Sequence, residues 1–229
     1  MAMNKDSQRW RVIVVGGHTR SIGKTQLVCD LIGAYPQANW VAGKITQYGH
    51  GVCAQNGENC DCAPDDHVCA ISWETKNDTG TDSARFLTAG AKRSFWLRTK
   101  QGFLAEGLPL LRKALRECGD APGGETRNLI LESNTLLQFV RPALYLMVLH
   151  PGKDDFKDSA KIQLDRASAF VLRKPLSAAA GNGGSPWLQI STSLLGTKPQ
   201  FLQEEGENLP KDLRSRVDII LHSGEGIEI

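Results

Sequence analysis

Residues 16 to 25 read Gly-Gly-His-Thr-Arg-Ser-Ile-Gly-Lys-Thr. Glycines in such a run let backbone N–H groups turn inward onto phosphate oxygens, and a helix starting after Gly23 adds its positive dipole end. Lys24 then reaches the terminal phosphates, and the Thr25 hydroxyl is a ligand for Mg²⁺. These parts suit one bound triphosphate, with Gly17, His18, Thr19, Arg20, Ser21, Ile22, Gly23, Lys24, Thr25 and Gln26 as the candidate binding set. Counted from Gly17 the spacing is G-x5-GKT, one residue longer than the common G-x4-GKT, whose first glycine would fall on His18. The competing reading is a chance Gly-Lys-Thr at a helix start, with Gly16 serving only the turn and Arg20 merely solvated.

A second cluster has different chemistry. Cys53, Cys60, Cys62 and Cys69 are spaced x6, x and x6 and are flanked by His50 and His67. Four thiolates can enclose a tetrahedral Zn²⁺ or carry an iron–sulfur cluster, and without C-x2-C pairs the spacing does not choose between them. The alternative is reduced surface cysteines, or a redox pair such as Cys60 with Cys62. A bound ion would give so polar a segment a physical reason to hold a shape.

The elements that must position these residues alternate. Arg11–Val15 reads as a strand entering the glycine-rich loop, and Lys24–Ile32 as a helix with Leu27, Val28, Leu31 and Ile32 on one face. Trp40–Thr46 reads as a second strand. Gln47–Gly80 shows neither period and reads as an insertion of residues 47–80, which sets the cysteines at the sheet edge that carries the loop. Helices are expected over Thr81–Ala91, Leu104–Cys118 and Asp155–Ala167. Strands are expected over Ser94–Arg98, Asn128–Leu131, Leu144–Leu149, Ala169–Leu172, Leu188–Ile190 and Asp218–Leu221, and Ala178–Ser185 reads as a flexible loop. Strands apolar on both faces and separated by helices imply a mostly parallel sheet covered on both sides, an α/β fold.

At 229 residues the chain suits one domain with an insertion, and 41% apolar residues suit a packed core. Lys plus Arg total 27 against 25 Asp plus Glu, so there is no global field to attract nucleic acid or an anionic membrane. The first residues lack the apolar core of a signal peptide, and no apolar run approaches the roughly 20 residues of a membrane helix. The expectation is a cytoplasmic protein. Cys29 and Cys118 read as small core residues, Trp73, Trp96 and Trp187 as packing, His150 and His222 as locally bonded, and Asp154-Asp155 as a helix cap.

The glycine-rich loop, Lys44 in VAGKIT and Glu132 ending LILES together resemble the P-loop NTPase group that includes dethiobiotin synthetase, the cobyrinate amidases and the molybdopterin-guanine dinucleotide biosynthesis protein B. The x5 loop is similar to that of dethiobiotin synthetase, while KITQYGH and TDSARFLTAGA are similar to the protein B family. The resemblance implies a three-layer P-loop NTPase domain over residues 1–229, binding ATP or GTP with Mg²⁺. It implies catalytic roles for Lys24, Lys44, Asp82 and Glu132: Lys24 and Thr25 on phosphate and metal, Asp82 or Glu132 on the metal or its waters, Lys44 on phosphate or substrate. Asp82 as a helix cap and Glu132 as a buried structural partner are the alternatives.

Two departures stand out. Ser133-Asn134-Thr135 replaces the relatives' glycine-rich stretch, suiting another substrate or a helix cap, and Arg173-Lys174-Pro175 replaces the Asn-Lys or Asn-Arg pair that reads the base. Adenine and guanine both remain open. The leading expectation is an accessory NTPase in assembly of a molybdopterin-type cofactor, with an unidentified small-molecule or protein partner. The alternatives are an ATP-dependent small-molecule kinase or ligase, with Lys44 and Ser133–Thr135 near the acceptor, and a metal-binding or redox-sensing module. By analogy the resemblance also implies a homodimer.

Overall fold

The computed structural model describes residues 9–48, 68–118, 127–179, 190, 192–223 and 225–229. Eight strands form one sheet: β1 Trp10–Gly17, β2 Val41–Tyr48, β3 Cys69–Trp73, β4 Arg93–Lys100, β5 Arg127–Glu132, β6 Leu144–Leu149, β7 Ala169–Leu172 and β8 Gln200–Leu202. Their order is β3-β4-β2-β5-β1-β6-β7-β8. Every pairing is parallel except β3 with β4, which is antiparallel. The helices are α1 Lys24–Ala34, α2 Asp82–Thr88, α3 Leu104–Arg116, α4 Asp158–Lys161, α5 Thr192–Gly196 and α6 Lys211–His222.

Alternate residues of the central strands feed two cores, because successive side chains leave a strand on opposite faces. Ile13 and Val15 join Leu27, Val28, Leu31 and Ile32 of α1, Phe86 of α2, and Leu213 and Val217 of α6. Val12 and Val14 join Leu104, Leu111 and Leu115 of α3, with Ala160 of α4. The sheet therefore has helices on both faces, as its apolar strands require. Among the described residues, no helix is long and apolar enough to cross a membrane.

Three expectations about elements need correction. Asp218–Leu221 is the end of α6, not a strand: Leu213 and Val217, four positions apart, are buried, while Ile219 is 69% exposed. The expected helix Asp155–Ala167 shrinks to α4, because residues ahead of it spend their backbone and side-chain bonds on the glycine-rich loop. The 47–80 insertion contributes two residues to β2 and the whole of β3, an edge strand held by pairing with β4 and by Arg93, whose guanidinium lies 3.7 Å over the Trp73 ring. Beyond α5 the short edge strand β8 pairs with β7, and of the strand expected at Leu188–Ile190 only Ile190, a bend, is described.

Candidate functional site

Register assembles the site from three adjacent strands. Glu132 at the end of β5 lies beside Val15 of β1 and beside Lys44 of β2, and the glycine-rich loop continues from β1. In an open parallel sheet, ligands gather at this carboxyl edge of the strands. The edge opens into a cleft of about 1410 Å³, lined by residues 19–26 of the loop and α1, Lys44, Asp82 and Glu132, and on its other side by Lys153, Lys157, Arg173 and Lys174.

α1 starts at Lys24, and its first turn places two groups. The Thr25 hydroxyl donates to Glu132 Oε2 at 2.7 Å, joining residues 107 positions apart. Lys24 Nζ folds back to donate to the Thr19 carbonyl at 2.5 Å. Burial lowers the pKa of Lys24 from its ordinary value, and the neighbouring Lys44 and Arg20 push it further down, while Glu132 and Asp82 oppose them. Lys44 donates to Asp82 and lies 3.9 Å from Glu132 Oε1, so one ammonium stands between two carboxylates.

α2 delivers Asp82. The Thr81 hydroxyl caps the helix by accepting from the Ala84 N–H at 3.1 Å. Glu74, just beyond β3, accepts from the Thr81 and Ser83 hydroxyls at 2.9 Å each. Thr81 rather than Asp82 is therefore the cap, and the Asp82 carboxylate is left for Lys44, with Arg85 3.7 Å away.

The departures noted above turn out to hold the loop. The Asn134 side chain accepts from the Gly17 N–H at 2.8 Å and donates to the Gly17 carbonyl at 2.9 Å. Ser133 accepts from the Leu136 N–H at 3.2 Å, tying its side chain to the short 3-10 turn Thr135–Gln138. Arg173 donates to the Gly23 carbonyl at 2.7 Å and to the Gln203 carbonyl at 3.1 Å. Gln203 in turn donates to Asp30 of α1 at 2.9 Å.

The loop residues divide. His18 is fully buried with its ring 5.0 Å from that of Phe156, and burial pushes its pKa down to about 4. Its N–H donates to the Val148 carbonyl at 3.3 Å and its carbonyl accepts from the Lys157 N–H at 2.9 Å. His18 and Gly17 thus face their supports, while Thr19, Arg20, Ser21, Ile22, Gly23, Lys24, Thr25 and Gln26 line the cleft. The Thr19 hydroxyl donates to Asp155, which is therefore a loop brace and not the helix cap expected of it.

Sequence reasoning passed over Lys153, Lys157 and Glu74. Lys153 donates to the Ser21 carbonyl at 2.8 Å, and Lys157 lines the cleft half-buried. Their signal was position: both follow β6 at the carboxyl edge of the sheet, where loops build sites. His150, at the end of the same strand, also lines the cleft, whereas His222 bonds the Asp218 carbonyl within α6. Cys29 and Cys118 are half-buried and pack against the two cores rather than within them, and this burial pushes the Cys29 thiol up to about 11 and the Cys118 thiol upward.

Cys53, Cys60 and Cys62 lie outside the described residues, with His50, His67 and Trp187. Cys69 begins β3, and its thiol donates to the Glu106 carbonyl at 3.6 Å. Among the described residues, no three His, Cys, Asp or Glu side chains form a metal-binding group. The hydroxyl of Thr25 beside the carboxylate of Glu132 still fits Mg²⁺, which takes one or two protein oxygens and completes its shell with waters and phosphate. Lys24, folded onto a carbonyl inside the loop, lines the cleft as a hydrogen-bond donor of the kind that binds phosphate oxygens. Comparison of the chain with protein-family models, with curated proteins and with solved structures finds no match.

Proposed function

We propose that the chain is a Mg²⁺-dependent P-loop nucleoside triphosphatase, acting as a nucleotide-binding accessory factor in assembly of a molybdopterin-type cofactor. The observation that carries the nucleotide reading is the Thr25 to Glu132 bond of 2.7 Å, set in the first turn of α1 beside Lys24 and within one cleft. It joins the hydroxyl that ends the Gly-Lys-Thr run to a carboxylate at the end of β5, two oxygens that suit a divalent cation. The pathway rests on the resemblance of KITQYGH and TDSARFLTAGA to the protein B family.

The chemistry is positioning and charge neutralisation. Lys24 exchanges the Thr19 carbonyl for phosphate oxygens, and N–H groups at the start of α1 point at the same charge. Thr25 and Glu132 would hold Mg²⁺, which supplies neutralisation of the outer phosphate oxygens. Lys44, between Asp82 and Glu132, orders both carboxylates and leaves an ammonium beside the transferring phosphoryl group. Ser133 and Asn134 are committed to the turn and the loop, which favours slow hydrolysis over transfer to an acceptor bound there. The small-molecule kinase remains the second reading because Lys44 lines the cleft with a side chain 19% exposed.

Mg²⁺-dependent binding and hydrolysis of ATP and GTP by the purified chain, beside Lys24→Ala, is the test. Slow turnover of one nucleotide that vanishes in the variant is expected. Full binding and turnover by Lys24→Ala would overturn the assignment.

A further inference from the structure

The segment between β6 and α4 is laced to the glycine-rich loop at three of its residues. The Lys157 N–H donates to the His18 carbonyl at 2.9 Å, Asp155 accepts from the Thr19 hydroxyl, and Lys153 donates to the Ser21 carbonyl at 2.8 Å. This lacing fixes the backbone of Lys157 one bond from the loop, and its side chain lines the cleft that Lys24 also lines. Among the described residues no carboxylate lies within ion-pair distance of Lys157.

The cleft carries carboxylates as well, Glu132, Asp82 and Glu204 among them, but two of the three charges that bear on Lys157 are of its own sign. Burial pushes the pKa of Lys157 down to about 8, Arg20 and Lys24 push in the same direction, and Asp155, already bonded to Thr19, opposes them. Ammonium and guanidinium groups that repel one another in a half-desolvated cleft are stabilised by a polyanion that spans them. Lys24 and Lys157 line this one cleft, and each feels the charge of the other.

We propose that Lys157 is a second phosphate-binding lysine, gripping the polyphosphate of a nucleoside triphosphate from the segment after β6 while Lys24 grips it from α1. The proposal rests on the nucleotide reading above. It assigns the β6–α4 segment a direct share of nucleotide affinity in addition to its bracing of the loop.

The test is titration of the 229-residue chain with Mg·ATP and Mg·GTP at about pH 7 and about pH 9, for wild type, Lys157→Met, Lys157→Arg and Lys161→Met. Lys161 is the charge control, since it pairs with Asp158 on α4 outside the cleft. Lys157→Met is expected to bind about 10- to 100-fold more weakly with its thermal midpoint little changed, Lys157→Arg within about threefold of wild type, and Lys161→Met as wild type. Wild-type affinity should fall between the two pH values, and less so in Lys157→Arg, whose guanidinium stays charged. Unchanged affinity in Lys157→Met, or equal losses in the Met and Arg variants, would overturn the proposal while the nucleotide reading stands. Absence of nucleotide binding by the wild-type chain would overturn both.

Discussion

Arg173 donates to the Gly23 carbonyl at 2.7 Å, so the end of β7 fixes the residue from which α1 begins, 150 positions earlier. Gly23 has φ of 85°, in the left-handed region, and carries the turn that aims Lys24 and Thr25 into the cleft. Arg173, which stands where the resembled proteins carry the asparagine of a base-reading pair, spends its guanidinium on the backbone of the loop.

Arg173→Lys is accordingly not conservative. One ammonium cannot span the Gly23 and Gln203 carbonyls as the planar guanidinium does. The expected loss is about 1–3 kcal/mol of stability, with weaker nucleotide binding, read by urea unfolding and by titration. A wild-type unfolding midpoint would remove Arg173 from the support of the loop.

Gly23→Ala meets two penalties. The left-handed backbone costs an L-residue about 1–2 kcal/mol, and the added Cβ would stand 2.9 Å from Arg173 Nε. In the background of Arg173→Ala the steric part should disappear, so the double variant should lose less stability than the two single variants summed. Strict additivity would mean that the two residues do not meet in solution.

Lys24→Met should separate binding from folding. Burial disfavours the charged ammonium, so its removal is expected to leave stability within about 1 kcal/mol of wild type or slightly raise it, while nucleotide binding is lost. Thermal unfolding with and without Mg·nucleotide reads both: the variant should unfold near the ligand-free wild type and gain nothing from ligand. A large stability loss would make Lys24 a structural residue.

Glu74→Ala removes the acceptor shared by Thr81 and Ser83 and loosens the capped end of α2 that presents Asp82. A loss of about 1–2 kcal/mol is expected, together with a higher Mg²⁺ requirement for turnover, and Glu74→Gln, which keeps an acceptor oxygen, should restore most of both. Unaltered stability and Mg²⁺ dependence in the alanine variant would sever α2 positioning from Glu74.

His18 makes acid destabilising. Its pKa is pushed down to about 4 in the folded chain, against an ordinary value of 6.5, so between these values the unfolded chain binds the extra proton and stability falls as pH falls. From pH 7 to pH 5 the loss from this group is about 2 kcal/mol. His18→Gln should shrink the pH dependence of the urea midpoint by that amount over this interval; an identical pH profile in the two proteins would show that His18 titrates normally.

The sequence by itself determined the fold class, the central strands and the loop between β1 and α1. Leu144–Leu149 and Ala169–Leu172 are apolar on both faces and could only be interior strands, and their observed bounds are those expected. Glycines, lysine and threonine at one spacing between strand and helix identified the candidate site, because local backbone freedom and helix start are local properties. What depends on distant partners was not legible. The edge strands β3 and β8 are held by backbone pairing more than by pattern, and α6 carries an apolar run, Ile219–Leu221, that reads as a strand until the burial of Leu213 and Val217 turns it into a helix. Asn134 on Gly17, Arg173 on Gly23, Asp155 on Thr19 and Lys153 on Ser21 join residues more than a hundred positions apart. Only the folding of β5, β6 and β7 around β1 brings them together, since hydrogen bonds and charge act over ångströms of space whatever the separation along the chain.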